Sequence, residues 1–325
     1  MARIIKYLID QKYLTLEELN ERLRYFDYSE VDFGFNSNKI SFISEKHISQ
    51  GYIIITGAEM SSLVTYFGII FGDCLPENDP VWKFYLVLFD LINVVTADYF
   101  DKHDLSLLQA LIQTHNELHI KLFEGNLTAK FHILTHYPRI IKAMRPVKNL
   151  SCSQFESFKQ KFRKYAHVVN SRVNIGYTLA NKAQLELNYR FLSAEGFKNY
   201  VEIGQAIDSN LDIPKSSLYD ISCTKVNGKV FRPGYAIYIR QNINDDPVFG
   251  IICRIITNQD QCIYFIYQES TSISLYNHVK GFLVTLPRAN EKIQLMCYDP
   301  NSYIKPLKIH VTANGSNVIT CRDFT

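Results

Sequence analysis

VFGIICRII (248–256) and CIYFIYQE (262–269) decide how the second half of this chain is read. Both are short runs of β-branched and aromatic residues, separated by polar turn residues, and that texture predicts strands. Similar runs stand on either side: YAIYI (235–239), FLVTL (282–286) and QLMCY (294–298). Asn227-Gly228 adds a hairpin-turn signal, because both residues tolerate positive φ. From about residue 213 to 325 the pattern therefore predicts a small antiparallel β-barrel-like domain.

Upstream the period changes. Residues 1–205 read as mainly helical. Thr15-Leu16-Glu17-Glu18 fits a capping box, in which a hydroxyl and a carboxylate satisfy free N–H groups of a starting helix. Leu16, Leu19, Leu23 and Phe26 then recur at helical spacing. Residues 27–57 are polar and irregular, and helices are expected at 58–72, 79–96, 104–124, 128–144, 153–170 and 176–192. The segment 206–220, with Asp208, Asn210, Pro214 and Ser216, reads as a linker. On that reading, cleavage at 208–216 gives two folded pieces.

Composition removes several classes. Hydrophobic residues make up 47% of the 325, enough for a core and too many for a disordered chain. No apolar run reaches the roughly 18 residues of a membrane span, and Lys6, Asp10 and Lys12 interrupt any signal-peptide core. The seven cysteines are scattered, with no C-x-x-C, which disfavours a zinc ribbon or a disulfide framework and points to a reducing compartment. Gly57, Gly68 and Gly72 do not form a phosphate-binding loop, and no nucleophile elbow is present. His115 with His119, and His132 with His136, are i,i+4 pairs that could together offer four zinc ligands; helix-surface or hydrogen-bonding histidines are the plainer reading. Asp73, Glu77 and Asp79 surround Pro76 as either a cation site or a surface turn. In the β region, Tyr235, Tyr238, Phe249, Tyr264, Phe265, Tyr267, Tyr276 and Phe282 could stack on bases or a peptide, although strand aromatics usually belong to a core.

Charge is spread unevenly. The formal net charge is +3, yet residues 125–185 hold eleven cations and one acid, Glu156. The cations are Lys130, Arg139, Lys142, Arg145, Lys148, Lys159, Lys161, Arg163, Lys164, Arg172 and Lys182; the remainder has 24 basic and 31 acidic residues. Such a segment repels itself unless an anion neutralises it, and a phosphate backbone is the common partner. Phe155, Phe158, Phe162, Tyr165 and Val169 make one apolar helical face, with Glu156 beside it and Lys159 three residues on. From spacing, Glu156 is either an i,i+3 salt-bridge partner of Lys159 or a metal ligand beside a phosphate path.

Several segments, in order, resemble a family. Leu19-Asn20-Glu21-Arg22 with Phe26-Asp27-Tyr28 is similar to its LN-x-R…FDY stretch. Thr56-Gly57-Ala58-Glu59-Met60, Tyr66-Phe67, Phe71-Gly72-Asp73 and Pro76-Glu77-Asn78-Asp79 with Trp82 follow a second stretch. His132 through Ile140 looks like H-x-x-x-H-Y-P-R, and Ser153 through Gln160 like S-M-R-F-E-S-K-H-R. The family is that of proteins derived from DDE-type, CACTA-like cut-and-paste transposases, and the resemblance spans roughly 1–195. It implies an RNase H-like core whose last helix lies here, with Glu156 as the third of three metal-binding acids. Phe158 and Gln160 replace the family's Lys and Arg, and Arg145-Pro146-Val147 replaces Gly-Pro. The first two acids would lie upstream of residue 1.

The resulting expectation is an α+β chain: a helical N-terminal region containing the last helix of an RNase H-like core, then a β-barrel-like domain. The resemblance implies a DNA-binding or scaffolding fragment, nuclear or cytoplasmic, without strand transfer alone and without membrane attachment. Arg139, Lys142, Arg145, Lys148, Lys159, Lys161, Arg163, Lys164 and Arg172 would contact DNA. No cofactor is expected, with Mg²⁺ or Mn²⁺ entering only if an acidic triad exists; Asp73 and Asp101 are the available acids for an active nuclease, the second reading. A protein partner or self-association, through the β domain or otherwise, is the third.

Overall fold

A computed structural model describes residues 1–28, 39–97, 99–123, 127–144, 146–150, 153–170, 173–193, 201–207, 218–288, 292–302 and 304–320, and backbone only at 102, 148, 149, 153–157 and 271. The chain is α+β, with helices first and antiparallel strands after them. Helices α1 (Ala2–Asp10), α2 (Leu16–Tyr25), α3 (Glu45–Gln50), α4 (Gly57–Phe71) and α5 (Pro80–Thr96) form one layer. Then come α6 (Lys102–Phe123), α7 (Ala129–Thr135), α8 (Tyr137–Met144), α9 (Ser153–Val168) and α10 (Ile175–Ser193).

Local chemistry sets the helix starts. Thr15 accepts from the Glu18 N–H while Glu18 accepts from the Thr15 N–H, the expected capping box. Thr56 and Glu59 repeat the arrangement on α4. Asp79 caps α5 through the N–H groups of Val81 and Trp82, with Pro80 at the first helical position. Asp79 also accepts from the Tyr7 hydroxyl at 2.8 Å, tying α1 to α5. Arg22 on α2 reaches both the Ile70 carbonyl and Asp73 at the end of α4. Within the acidic cluster around Pro76, Asp73 is thus a tie and Asp79 a cap and a tie. The expected helix over 128–144 divides at His136, with Pro138 just inside α8. Helix α3 lies within the stretch read as irregular.

The strands are β1 (Val201–Ile203), β2 (Ala206–Ile207), β3 (Leu218–Ile221), β4 (Thr224–Val226), β5 (Lys229–Phe231), β6 (Ala236–Gln241), β7 (Pro247–Asn258), β8 (Ile263–Tyr276), β9 (Gly281–Val284), β10 (Ile293–Cys297), β11 (His310–Val311) and β12 (Asn317–Thr320). Asn227 and Gly228 take positive φ in the tight β4–β5 turn. One sheet runs β1-β4-β5; the other runs β11-β12-β9-β8-β7-β3-β2, with β10 also on β8 and β6 also on β7.

The β-barrel expectation is corrected: the sheets are open. The larger path ends at β2 and β11, and among the described residues no ladder joins those edges. A single bridge, Ala236 with Leu307, is the only contact of that kind outside the named strands there. Register shifts at Ile252/Arg254 in β7 and Ser272/Ser274 in β8 bend the two long strands. Helices, rather than further strands of a barrel, cover the β9–β12 end.

That covering is a shared core. Val279 in the β8–β9 turn and Val318 on β12 are buried in the same cluster as Ile4, Leu19, Leu63, Phe67, Trp82, Tyr85 and Phe89. The Trp82 indole donates to the His278 carbonyl at 3.0 Å. The His278 Nε2–H donates to the Gly72 carbonyl at 2.7 Å, since a carbonyl can only accept. His310 stacks on Phe26 at 5.1 Å, and Lys280 pairs with Asp90. A second cluster, with Phe231, Ile252, Phe265 and Tyr298, fills the sheet's other part. The strands begin at Val201, ahead of the expected linker, and β3 closes that linker by pairing with β7; residues 208–217 lie outside the described ones. Among the described residues, no helix is long and apolar enough to cross a membrane.

Candidate nucleic-acid interface

A small apolar cluster anchors the basic segment. Leu91 and Val94 of α5, Leu108 and Ile112 of α6, and Ile141 of α8 are buried together, with Leu134, Tyr137 and Val147 against them. With Pro138 and Ile141 turned inward, Arg139 and Lys142 are exposed on α8, and Lys130 is exposed on α7.

Helices α9 and α10 form an antiparallel arm. Lys161, Phe162, Tyr165, Ala166 and Val169 are half-buried, and Lys159, Arg163, Lys164 and His167 point outward. This is the expected amphipathic division for Phe162, Tyr165 and Val169; the Phe155 side chain lies outside the described residues, and Phe158 is 47% exposed and packs edge-on against Phe162. Glu186 of α10 accepts from both the Lys161 ammonium and the Tyr165 hydroxyl. Those two bonds hold the Glu186 carboxyl below its ordinary value, and the same contact raises the Tyr165 hydroxyl. Lys182 lies 5.8 Å above the Tyr165 ring. Lys161 is thereby turned to the arm's own seam. Among the described residues, Lys130, Arg139, Lys142, Lys159, Arg163 and Lys164 pair with no carboxylate. Arg145 and Arg172 lie outside the described residues, as do the side chains of Lys148 and Glu156.

The candidate acids have other partners. Asp73 is bound to Arg22. Asp101 caps α6, accepting from the Asp104 N–H at 2.8 Å, and that bond lowers its pKa. Among the described residues, no three His, Cys, Asp or Glu side chains gather to hold a metal. The histidine pairs have separate environments. His115 stacks between Phe84 and Phe131, 4.9 and 5.5 Å away, and burial lowers its pKa. His119 contacts Arg3 at 3.1 Å and packs on Phe131 at 4.5 Å, and burial likewise lowers it. His132 and His136 face each other, Nε2 to Nε2, at 3.2 Å.

In the β region, Phe249, Phe265 and Tyr267 are buried, while Tyr235, Tyr264, Tyr276 and Phe282 are half-buried. Of the eight aromatic residues considered there, Tyr238 alone is exposed. They fill cores more than they offer a stacking platform. The sequence reading missed Thr56-x-x-Glu59 and the neutral outer side of α10. The first was legible as a second capping box. The second was legible in the placement of Lys182, Glu186 and Arg190 four residues apart.

The chain matches no protein-family model, no curated protein and no solved structure.

Proposed function

We propose that this chain binds nucleic acid, DNA above all, through the outward cations of α7, α8 and α9, and that it descends from a DDE-type, CACTA-like transposase without carrying strand transfer alone. The observation that carries the binding reading is a set of six exposed cations on consecutive helices that, among the described residues, pair with no carboxylate. An apolar cluster holds α7 and α8, and among the described residues no acid pairs with these cations, so their field acts outward, where a phosphate backbone would release its counterions. In this reading α9 is the last helix of an RNase H-like core, Glu156 stands at the third acid, and the compartment is nuclear. The descent rests on the ordered sequence segments alone.

The experiment is a gel-shift series across salt. Replacing Lys159, Arg163 and Lys164 by Ala lowers the log–log salt slope by about 0.9 per lost phosphate contact, about 2.7 in all, if each contacts duplex DNA. Equal affinity and slope for wild type and triple variant would remove this face from the interface.

A further inference from the structure

Strand β10 lies beside β8 with its other edge open and uncharged. The Tyr298 N–H donates to the Ile263 carbonyl at 2.8 Å, and the register runs from there through Cys297↔Tyr264 to Ile293↔Gln268. Antiparallel pairing alternates, so Gln294 and Met296 turn their backbone N–H and C=O groups to β8, and Ile293, Leu295 and Cys297 turn theirs the other way. Among the described residues, β10 pairs with no strand on that side. The side chains are open as well: Ile293 and Leu295 are 61 and 66% exposed, and Cys297 is exposed. Such an edge takes up another strand unless charge, proline, a bulge or shortness blunts it. The other outer strands are blunted. Strands β2 and β11 have two residues each; β1 and β5 have three, with Glu202 and Lys229 on them. Strand β6 carries Arg240, a register shift and the bridge from Ala236 to Leu307. Ile293-Gln294-Leu295-Met296-Cys297 has none of these.

From this edge we infer that two copies of the chain associate by antiparallel β10–β10′ pairing about a two-fold axis at Leu295. Three features select a second copy. First, the outward backbone groups match themselves. With Leu295 opposite Leu295 of the other copy, Ile293 stands opposite Cys297 of the other copy twice, and every outward N–H meets an outward C=O, as an isologous interface requires. Second, the ends carry opposite charges. Lys292 just before the strand and Asp299 just beyond it are both exposed, and antiparallel pairing sets each Lys292 diagonally beside the other copy's Asp299. Parallel pairing would instead bring like charges together. Third, the side chains agree. Leu295 and Cys297 share a face with Ile266 and Tyr264, their half-buried partners on β8, so joining the two sheets makes one apolar band across the axis.

The test is sedimentation of the full chain, nuclease-treated and at about 0.5 M salt, where phosphate bridging is suppressed. The five residues of β10 make a small interface, so a dimer is expected at about 200 μM. Leu295→Pro raises the dissociation constant at least about tenfold, because both axial N–H donors are lost while the ladder to β8 keeps its bonds. Leu295→Val, which keeps the N–H and suits a strand, stays within about threefold of wild type. Circular dichroism is unchanged in both, since Leu295 lies outside the buried clusters. Cross-linking reads the register independently of the proline variant. In a Cys262→Ser, Cys297→Ser background, Leu295→Cys forms a disulfide-linked dimer, its Cα atoms being about 5.5 Å apart across the axis. Ile293→Cys in that background does not, since the two copies of residue 293 lie about 13 Å apart along the strands. Replacing Lys159, Arg163 and Lys164 leaves the dimer intact, so loss of nucleic-acid binding and loss of association are read separately. A wild type that stays monomeric at about 200 μM, a folded Leu295→Pro chain that dimerises like wild type, or cross-linking no stronger at 295 than at 293 overturns the inference.

Discussion

Gly68→Ala tests whether the helix layer and the sheet form one cooperative unit. A Cβ on Gly68 would lie 2.8 Å from the Val279 carbonyl oxygen and 3.1 Å from the Tyr85 hydroxyl. Neither neighbour yields easily. Val279 is backbone in a buried turn, and the Tyr85 hydroxyl already accepts from the Gly68 N–H and donates to the Val64 carbonyl. Overpacking of this kind costs about 1–3 kcal/mol. Alanine in place of glycine inside a helix returns about 1 kcal/mol. The net expectation is destabilisation by up to about 2 kcal/mol. Gly57 is the control: nothing lies within 4 Å of its Cβ position, and it opens the same helix. Gly57→Ala should be neutral or slightly stabilising. Trp82 supplies the reporter. It is the single tryptophan, fully buried, and its indole bonds to His278 across the boundary. In urea, tryptophan emission and far-ultraviolet circular dichroism should report one transition, shifted to lower urea in Gly68→Ala alone. Two separate transitions, or a Gly68→Ala chain as stable as Gly57→Ala, would refute the shared core.

Three further outcomes follow from the same contacts. Burial beside Phe26 and Tyr66, reinforced by Lys308 and opposed by Asp27, pushes the His310 imidazole down to about 3. The unfolded chain therefore binds the extra proton between about 6.5 and 3, so this stability is complete above pH 6.5 and is lost as pH falls. His310→Phe should remove roughly 2 kcal/mol of the stability difference between pH 7 and pH 5, measured by denaturant melts. A chain cut at 208–216 should elute as one particle, and residues 213–325 expressed alone should stay unfolded, because Val279 and Val318 would lose their cover; a folded, soluble β piece by circular dichroism would contradict this. Charge neutralisation on α9 should flatten the salt dependence of DNA binding while leaving melting unchanged, because Lys159, Arg163 and Lys164 are exposed and, among the described residues, pair with no carboxylate.

What was legible in the sequence was local. Thr15 with Glu18, Asn227-Gly228 and the β-branched and aromatic runs in 248–269 act through neighbours a few residues away, and each appears where its chemistry places it. The break inside 128–144 was written at Pro138, whose missing N–H suits a helix start better than an interior. What was not legible depends on partners far along the chain. Barrel closure requires edge strands to meet, and nothing in FLVTL or QLMCY says that helices cover the β9–β12 end instead. Gly68 and Gly72 look like failed phosphate-loop glycines until Val279, more than 200 residues later, is found against both.

The basic segment shows the same division from the other side. Its sign and density could be counted from composition, but the use of each cation could not. Lys161 and Lys164 are three residues apart on one helix, and the sequence treats them alike. The first is turned into the seam with α10, where Glu186 claims it. The second is exposed and, among the described residues, pairs with no carboxylate. A charge count overstates a binding face by whatever the fold uses internally, and the correction lies in a neighbouring helix whose register the count does not contain.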